Sequence, residues 1–179
     1  MDALAALRSG LPVLLPTDGV YGLCCAVEEA AAVRLYQLKG REQQQPTAIL
    51  GASVAALLAL VPELDADLVL PGPFTCVVPN PAHRFRWLTG DRPETLGVRV
   101  PVLPLVTQAV LDAVGAVVAT SANEPGEPAA ASLDAVAARI RHGCGAELDG
   151  GTLPGTPSTV VDLSGETPVV LRQGAGELP

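Results

Sequence analysis

The sequence reads Leu15-Pro16-Thr17-Asp18-Gly19-Val20-Tyr21-Gly22-Leu23 at a polar turn between two apolar runs. The first run, Leu11 to Leu15, predicts a buried strand, and the second, Tyr21 to Val27, follows the turn. A helical pattern then ends at the cations Lys39 and Arg41, and Lys39 is the only lysine in the chain. Apolar strands that end in polar turns build small-molecule sites in α/β proteins. The alternative for the two cations is a solvated helix end, where positive charge favours the helix dipole.

Composition excludes several classes of protein. The chain has 179 residues, of which 49% are hydrophobic and 3% aromatic, so Ala, Val and Leu must build the core. Eleven basic against nineteen acidic residues give a net charge of −8, which argues against a large nonspecific nucleic-acid surface but allows a small basic cavity. The four cysteines lack C-x-x-C spacing and are predicted to be free, buried thiols. Neither a signal peptide nor a membrane span is recognisable, which predicts a cytoplasmic protein.

Strand and helix patterns alternate along the chain, with helix-less connections between some of them. Helices are predicted over Asp2 to Arg8, Glu28 to Lys39, Ser53 to Leu60, Pro62 to Leu70 and Leu103 to Val114, and from Ser132 through Ile140. Further strands are predicted at Thr47 to Leu50, Phe74 to Val78, Thr95 to Val100, Ala116 to Ala119, Ala146 to Leu148, Thr159 to Leu163 and Val169 to Leu171. Residues 80–94 are predicted to be irregular, the last two strands to form a hairpin, and the tail from Gly174 to be loose. The pattern predicts an α/β fold with a single twisted mixed sheet and flanking helices, in one domain spanning 1–179.

Polar clusters follow several of the strand-like runs. They are Thr17-Asp18, Thr75, Arg99, Thr120-Ser121-Ala122-Asn123, Ser158-Thr159 and Arg172. Hydroxyl, amide and guanidinium groups suit the binding of anions. Each cluster also has a structural interpretation, because Ser121 and Asn123 could stabilise a turn, Asp18 could cap one, and Arg99 could be a paired structural arginine.

Other mechanisms have little support in the sequence. His83 and His142 lie in poorly defined polar segments, which disfavours a histidine-based nucleophilic mechanism. Neither the P-loop nor the dinucleotide-binding motif occurs. No protein metal site is indicated, so any Mg²⁺ is expected to arrive on substrate phosphates.

Seven short motifs occur in order along the chain. They are Pro16 to Leu23, Lys39-Gly40-Arg41, Pro71-Gly72-Pro73-Phe74-Thr75, Gly97-Val98-Arg99-Val100-Pro101, Ser121-Ala122-Asn123 with Gly126 and Pro128, Pro157 to Asp162, and Leu171-Arg172. This series resembles the YrdC-like family, the threonylcarbamoyl-AMP synthases that begin threonylcarbamoyl modification of tRNA. The resemblance implies a basic cavity in the α/β fold. It also implies a nucleotidyltransferase that converts L-threonine, bicarbonate and ATP, with Mg²⁺, to threonylcarbamoyl-AMP and pyrophosphate.

The resemblance also implies roles for individual residues. The catalytic residues would be Lys39 and Arg41. The ATP-binding residues would be Arg41, Gln45, Thr95, Ser121, Asn123, Ala129 and Arg172. The threonine-binding residues would be Gly19, Leu50, Arg99, Ala119 and Ser158. Partners beyond the small-molecule substrates would be tRNA or downstream tRNA-modification proteins, with no membrane.

The chain departs from the family pattern at several of these positions. Gly19 replaces a Thr, Glu42 a Pro, Gln45 an Asn or Lys, Leu50 a His, and Pro125 a Ser. Most of these changes fall on the amino-acid side of the implied site, so two alternatives stay open. One is a nonenzymatic paralogue that binds double-stranded RNA or tRNA with the same cavity, which the acidic composition disfavours. The other is a carbamoyl-adenylate synthase for a different amine.

Overall fold

The computed structural model describes residues 1–40, 45–64 and 70–177. Its α-helices are α1 (Ala3–Arg8), α2 (Glu29–Lys39), α3 (Val54–Leu60), α4 (Leu105–Val114) and α5 (Ala138–Gly143). Its strands are β1 (Val13–Pro16), β2 (Tyr21–Cys25), β3 (Ala48–Gly51), β4 (Phe74–Pro79), β5 (Thr95–Arg99), β6 (Ala116–Ser121), β7 (Ala146–Glu147), β8 (Thr159–Asp162) and β9 (Val169–Arg172). Short 3₁₀ helices lie at Arg86–Leu88 and Leu133–Ala135.

The described strands form one mixed sheet in the order β7-β1-β2-β6-β3-β5-β4-β8-β9. Three of its pairings are parallel, namely β1 with β7, β3 with β5, and β4 with β8. The other pairings are antiparallel, including the hairpin of β8 and β9. The prediction of an α/β fold with a single twisted mixed sheet and flanking helices is therefore confirmed.

The two faces of the sheet are covered to different extents. One face carries the larger core, in which Leu23, Ile49 and Val98 pack with residues of α2, α3 and α5 such as Leu35 and Ile140. On the other face, α1 and α4 cover only part of the sheet, and residues of β1, β2, β3 and β6 pack with them there. The rest of that face has no helix over it among the described residues, which leaves room for a cavity.

Local signals define several helix ends. The Asp2 side chain accepts a hydrogen bond from Ala5 N at 2.7 Å, and the Ser53 hydroxyl accepts one from Ala56 N at 3.1 Å. Gly40 ends α2 in the left-handed conformation, with φ of 67°. Glycine adopts this conformation without a Cβ penalty, so the helix stops directly after Lys39.

The structure corrects two of the sequence predictions. The helix predicted from Ser132 through Ile140 is divided, because Val136 is extended and Ala137 is not helical, and these two residues separate the 3₁₀ helix from α5. The tail predicted to be loose from Gly174 is anchored over its described residues, since Gly174 N and Gly176 N both donate to the Thr159 hydroxyl at 2.9 Å. The predicted helix from Pro62 to Leu70 falls largely outside the described residues.

Candidate active site

A cavity of about 320 Å³ opens on the partly covered face of the sheet. Its floor consists of the small residues Gly22, Ala48, Gly97 and Ala119, which lie on four neighbouring strands. A Cβ on Gly97 would lie 3.2 Å from the Cβ of Ala48, so these two residues of the floor are already packed closely against each other. The cavity therefore exists because the central strands place little side-chain volume on this face.

The described walls of the cavity carry hydroxyl and guanidinium groups. The polar side chains are those of Thr17, Thr47, Thr75, Thr89, Arg92, Thr95, Arg99, Thr120, Ser121, Ser158 and Arg172. No carboxylate lies in the described lining. This donor-rich composition is complementary to an anionic ligand.

Arg99 is the most enclosed cation of the described lining. Its Nη2 donates to Asp18 Oδ1 at 2.6 Å, and only 12% of its side chain is exposed. The Nε of Arg99 is buried and has no hydrogen-bond acceptor among the described residues. A guanidinium offers five donors, so Arg99 has donors left for a ligand after its pairing with Asp18.

Arg172 faces the same cavity from β9. Its Nη2 donates to Ser158 O at 2.8 Å, and the Ser158 hydroxyl shares a 2.8 Å hydrogen bond with the Thr75 hydroxyl. Burial and the positive charge of Arg99 both lower the pKa of Arg172. Two cations that share a partly desolvated cavity are stabilised by an anion between them.

Ser121 is the last residue of β6 and also lines the cavity. The ammonium of Lys39 donates to Ser121 O at 2.7 Å, to Asn123 Oδ1 at 2.8 Å and also to Asn123 O. The end of α2 is thereby tied to the loop that follows β6.

The turn at Thr17 to Val20 is fixed from two directions. Thr17 N and the Thr17 hydroxyl both donate to Val20 O, at 3.1 and 2.6 Å. Gly19 O accepts a hydrogen bond from Gly155 N at 2.8 Å, and a Cβ on Gly19 would lie 2.0 Å from Thr156 O. Only glycine fits at this position, because the backbone of the 149–156 loop occupies the space that a side chain would need.

Comparison with known proteins places the chain in a family. The family model described as Telomere recombination, for the Sua5, YciO and YrdC proteins, matches residues 5–174. The chain belongs to the Sua5/YciO/YrdC family. This match confirms the resemblance to the YrdC-like family that the seven sequence motifs indicate.

Individual relatives of the Sua5/YciO/YrdC family match most of the chain. A protein of Chromohalobacter salexigens named threonylcarbamoyl-AMP synthase is 38% identical over 93% of this chain and 94% of its own. Pyrococcus abyssi Sua5, solved in complex with L-threonine, is 32% identical with a TM-score of 0.82. That match covers 96% of this chain but 53% of the Sua5 chain. Escherichia coli YciO is 26% identical, with a TM-score of 0.81 and coverage of 98% and 88%.

The structure brings some of the predicted site residues into the cavity and leaves others outside its lining. Thr95, Arg99, Ala119, Ser121, Ser158 and Arg172 line it. Leu50 lies instead in the apolar cluster beneath α1 and α4, with 1% of its surface exposed. Gln45 is exposed and Ala129 half-buried, and neither belongs to the lining. Arg41 lies outside the described residues.

Sequence reasoning missed Thr47, Thr89 and Arg92 as lining residues. The sequence pattern predicts Thr47 only as the start of a strand, yet Thr47 is buried and its hydroxyl has no partner among the described residues. Arg92 reaches the cavity rim from the irregular 80–94 segment and donates to Asp162 at 3.0 Å. No periodic pattern marks that segment, so the sequence contained no signal for these positions beyond their residue types.

Two further observations concern metal ions and membranes. Within residues 1–40, 45–64 and 70–177, no group of three or more His, Cys, Asp and Glu side chains could hold a metal ion. In the same residues, no helix combines the length and apolar character needed to cross a membrane.

Proposed function

We propose that this chain is a threonylcarbamoyl-AMP synthase, a nucleotidyltransferase that converts L-threonine, bicarbonate and ATP to threonylcarbamoyl-AMP and pyrophosphate. The observation that supports this most directly is the pair of guanidinium groups, Arg99 and Arg172, that face one donor-lined cavity. Relatives of similar length are named for this activity. The substrates are anionic or carry carboxylate and phosphate groups, which such donors recognise.

In this proposal the two cations serve different substrates. Arg99 holds the threonine carboxylate with the donors that Asp18 leaves unused, and Ser158, which lines the same cavity, also contacts threonine. Arg172 and Ser121 hold the nucleotide phosphates, together with Arg41. Partial desolvation and, to a lesser extent, the charge of Arg99 lower the pKa of Arg172, and an anion bound between the two arginines would relieve their repulsion.

The reaction needs orientation more than a strong base. The threonine amine attacks the carbon of bicarbonate, water leaves, and a carbamate forms. A carbamate oxygen then attacks the α-phosphorus of ATP, the bond from that phosphorus to the bridging oxygen breaks, and pyrophosphate leaves. Holding two anions in line and neutralising the developing charge are the contributions expected of Arg99, Arg172 and Ser121.

Mg²⁺ is proposed to enter as the ATP complex, because the described lining has no carboxylate to hold it. When bound, it would neutralise charge on the phosphate oxygens. The product would pass to tRNA modification in the cytoplasm, with tRNA or a downstream modification protein as the acceptor. We retain the prediction that 1–179 form a single domain.

The test is pyrophosphate release from ATP and bicarbonate, with and without L-threonine. We expect release that requires threonine and falls at least 100-fold in Arg99→Gln, since removing one such donor typically costs about 2.7–4 kcal/mol of transition-state stabilisation. Arg84→Gln is the matched control, because Arg84 is an exposed arginine paired with Glu63 at 2.7 Å and lies outside the described lining of the cavity.

The same assay, combined with calorimetry of ATP binding and a tRNA-binding measurement, separates the alternatives. Bound ATP without threonine-dependent release would indicate another amine, and a screen of amines would then identify it. Absence of ATP binding would contradict the phosphate assignment. Salt-dependent tRNA binding without turnover would then favour the RNA-binding paralogue.

A further inference from the structure

Lys39 occupies an unusual position for the only lysine of the chain. It is the last residue of α2 and is 5% exposed, whereas a lysine at a helix end ordinarily extends into solvent. Gly40 ends the helix directly behind it in the left-handed conformation. The ammonium is thus held inside the protein, beside the loop that follows β6.

The donors of this ammonium are already engaged by protein acceptors. They bond to the carbonyl oxygens of Ser121 and Asn123 and to the side-chain oxygen of Asn123. An ammonium has three N–H donors and no acceptor. These contacts, counted among the described residues alone, already match its donor capacity, so a phosphate oxygen could bond to Lys39 only by displacing an acceptor that the protein supplies.

The contacts of Lys39 extend through the rest of the loop. Asn123 Nδ2 donates to Glu124 O at 3.0 Å and to Glu127 O at 2.5 Å. Arg139 of α5 adds a second connection, since its Nη1 donates to Leu38 O at 2.7 Å and its Nη2 pairs with Glu124 at 2.7 Å. Residues 121–127 are therefore fastened to the end of α2 at several points, and Lys39 is the innermost of them.

We propose that Lys39 is a positioning residue, which fixes the Ser121-to-Asn123 backbone so that the Ser121 hydroxyl meets the nucleotide, and that it does not bind phosphate itself. This inference rests on the proposed function, in which Ser121 is a phosphate ligand. It revises the catalytic role that the family resemblance implied for Lys39. A buried ammonium paired with carbonyl groups gives a rigid loop end, whereas a phosphate-binding lysine would need donors available to the ligand.

The single lysine allows a direct test in the unmodified protein. Labelling with ¹⁵N-lysine gives one side-chain ammonium signal. We expect this signal to be visible and slow to exchange with water in the ligand-free protein. Adding ATP or inorganic tripolyphosphate should change the exchange rate of the ammonium by less than about twofold, because the same three oxygen atoms continue to accept its hydrogen bonds.

The opposite pattern would overturn the proposal. A signal that exchanges rapidly without ligand and becomes protected only with ATP or tripolyphosphate would show that phosphate supplies the acceptors. If calorimetry finds no ATP binding at all, the proposed function fails. The ligand-free exchange rate would still decide whether the loop holds Lys39.

A double-mutant cycle tests the route through Ser121. We expect Lys39→Met and Ser121→Ala each to weaken ATP binding by about tenfold, and the double variant to be little weaker than Ser121→Ala alone. If ATP binding in the double variant is weakened by the product of the two single effects, Lys39 contacts the nucleotide independently of Ser121. That result would contradict the proposal. The amide exchange of residues 121–127 in Lys39→Met reports whether the loop has loosened. If that variant fails to fold, the labelling experiment still gives the answer.

Discussion

Asp18 forms an ion pair with Arg99 but does not belong to the described lining of the cavity. The carboxylate lies 2.6 Å from Arg99 Nη2 with 16% of its side chain exposed. The turn that carries Asp18 is itself fixed by the hydrogen bonds of Thr17 and Gly19. Asp18 therefore orients the guanidinium without needing to touch a ligand.

We expect Asp18→Ala to raise the KM for threonine about tenfold with a smaller change in kcat, because an unanchored arginine loses orientation in the substrate complex. Asp18→Asn keeps an oxygen that can accept from Arg99 and should stay closer to the unmodified protein. Steady-state pyrophosphate release measures both parameters. Equal KM values in the two variants would rule out a role that depends on this hydrogen bond.

Single residues also show where sequence reasoning succeeded and where it stopped. Arg99 and Ser121 could be recognised as site candidates because each belongs to a polar cluster after a strand-like run and to a motif of the family, and the strand register in the structure brings them to one face of the sheet. The reason for Gly19 could not be found in the sequence, since it depends on Thr156, which is remote in the chain. The acceptors of Lys39 were hidden for the same reason.

At the scale of elements, Tyr21 connects β2 to the 149–156 loop. Its hydroxyl donates toward Gly151 O at 3.0 Å and Asp149 Oδ1 at 3.1 Å, and accepts from Gly150 N at 2.9 Å. Burial raises the pKa of Tyr21, so the hydroxyl remains a donor at neutral pH. The loop that packs on Gly19 is thus anchored to the strand that follows the turn.

We expect Tyr21→Phe to lower the free energy of unfolding by about 0.5–1.5 kcal/mol, because Gly150 N and Gly151 O would lose their hydrogen bonds to the buried hydroxyl while water can still reach these exposed glycines. Urea unfolding measures the change, and Tyr36→Phe is the control at a tyrosine that contacts Trp87 O instead. Amide exchange should rise at Gly150 and Gly151 in Tyr21→Phe alone. An unchanged exchange rate there would contradict the anchoring role.

The elements were predictable where one pattern dominated. Strands such as β4 and β5 were found because their apolar runs are short and bounded by turn residues. The helix predicted from Ser132 failed because Leu133, Val136 and Ile140 have helical spacing, although the chain is extended at Val136. Both Val136 and Ile140 still reach the core, so spacing alone could not separate a continuous helix from two shorter turns.

At the scale of the whole molecule, the core contains protonated thiols. Burial raises the pKa of Cys24 and Cys144 to about 12 and that of Cys76 to about 11, and it raises the pKa of Cys25 as well. A thiol in the unfolded chain has a pKa of about 8.5. The stabilisation from these protonated thiols is therefore complete below about pH 8.5 and declines as the pH rises toward 11–12.

We expect the free energy of unfolding to fall between pH 8.5 and 10, by about 2 kcal/mol at pH 10 for each thiol that stays protonated in the folded state. Urea unfolding at a series of pH values measures the slope. Cys76→Ala should show a shallower slope, whatever its stability at pH 7. A slope that does not change in this variant would show that Cys76 does not contribute.

The strand order was beyond prediction for a different reason. Strand β6 pairs with both β2 and β3, which precede it by many residues, and such pairings leave no local mark in the sequence. The class of fold followed from alternating patterns, whereas the order depends on long-range contacts. The anchored tail is a similar case, because its partner Thr159 belongs to β8.

The partly covered sheet face links ligand occupancy to folding. Helices α1 and α4 supply the packing over one part of that face, and over the remainder a ligand would supply the contacts that no helix provides. Binding to the native state alone raises the free energy of unfolding according to ligand concentration and affinity. If the substrates bind in this cavity as proposed, the melting temperature would therefore report the occupied fraction of the site, and the bound substrate would act as a removable part of the packed interior.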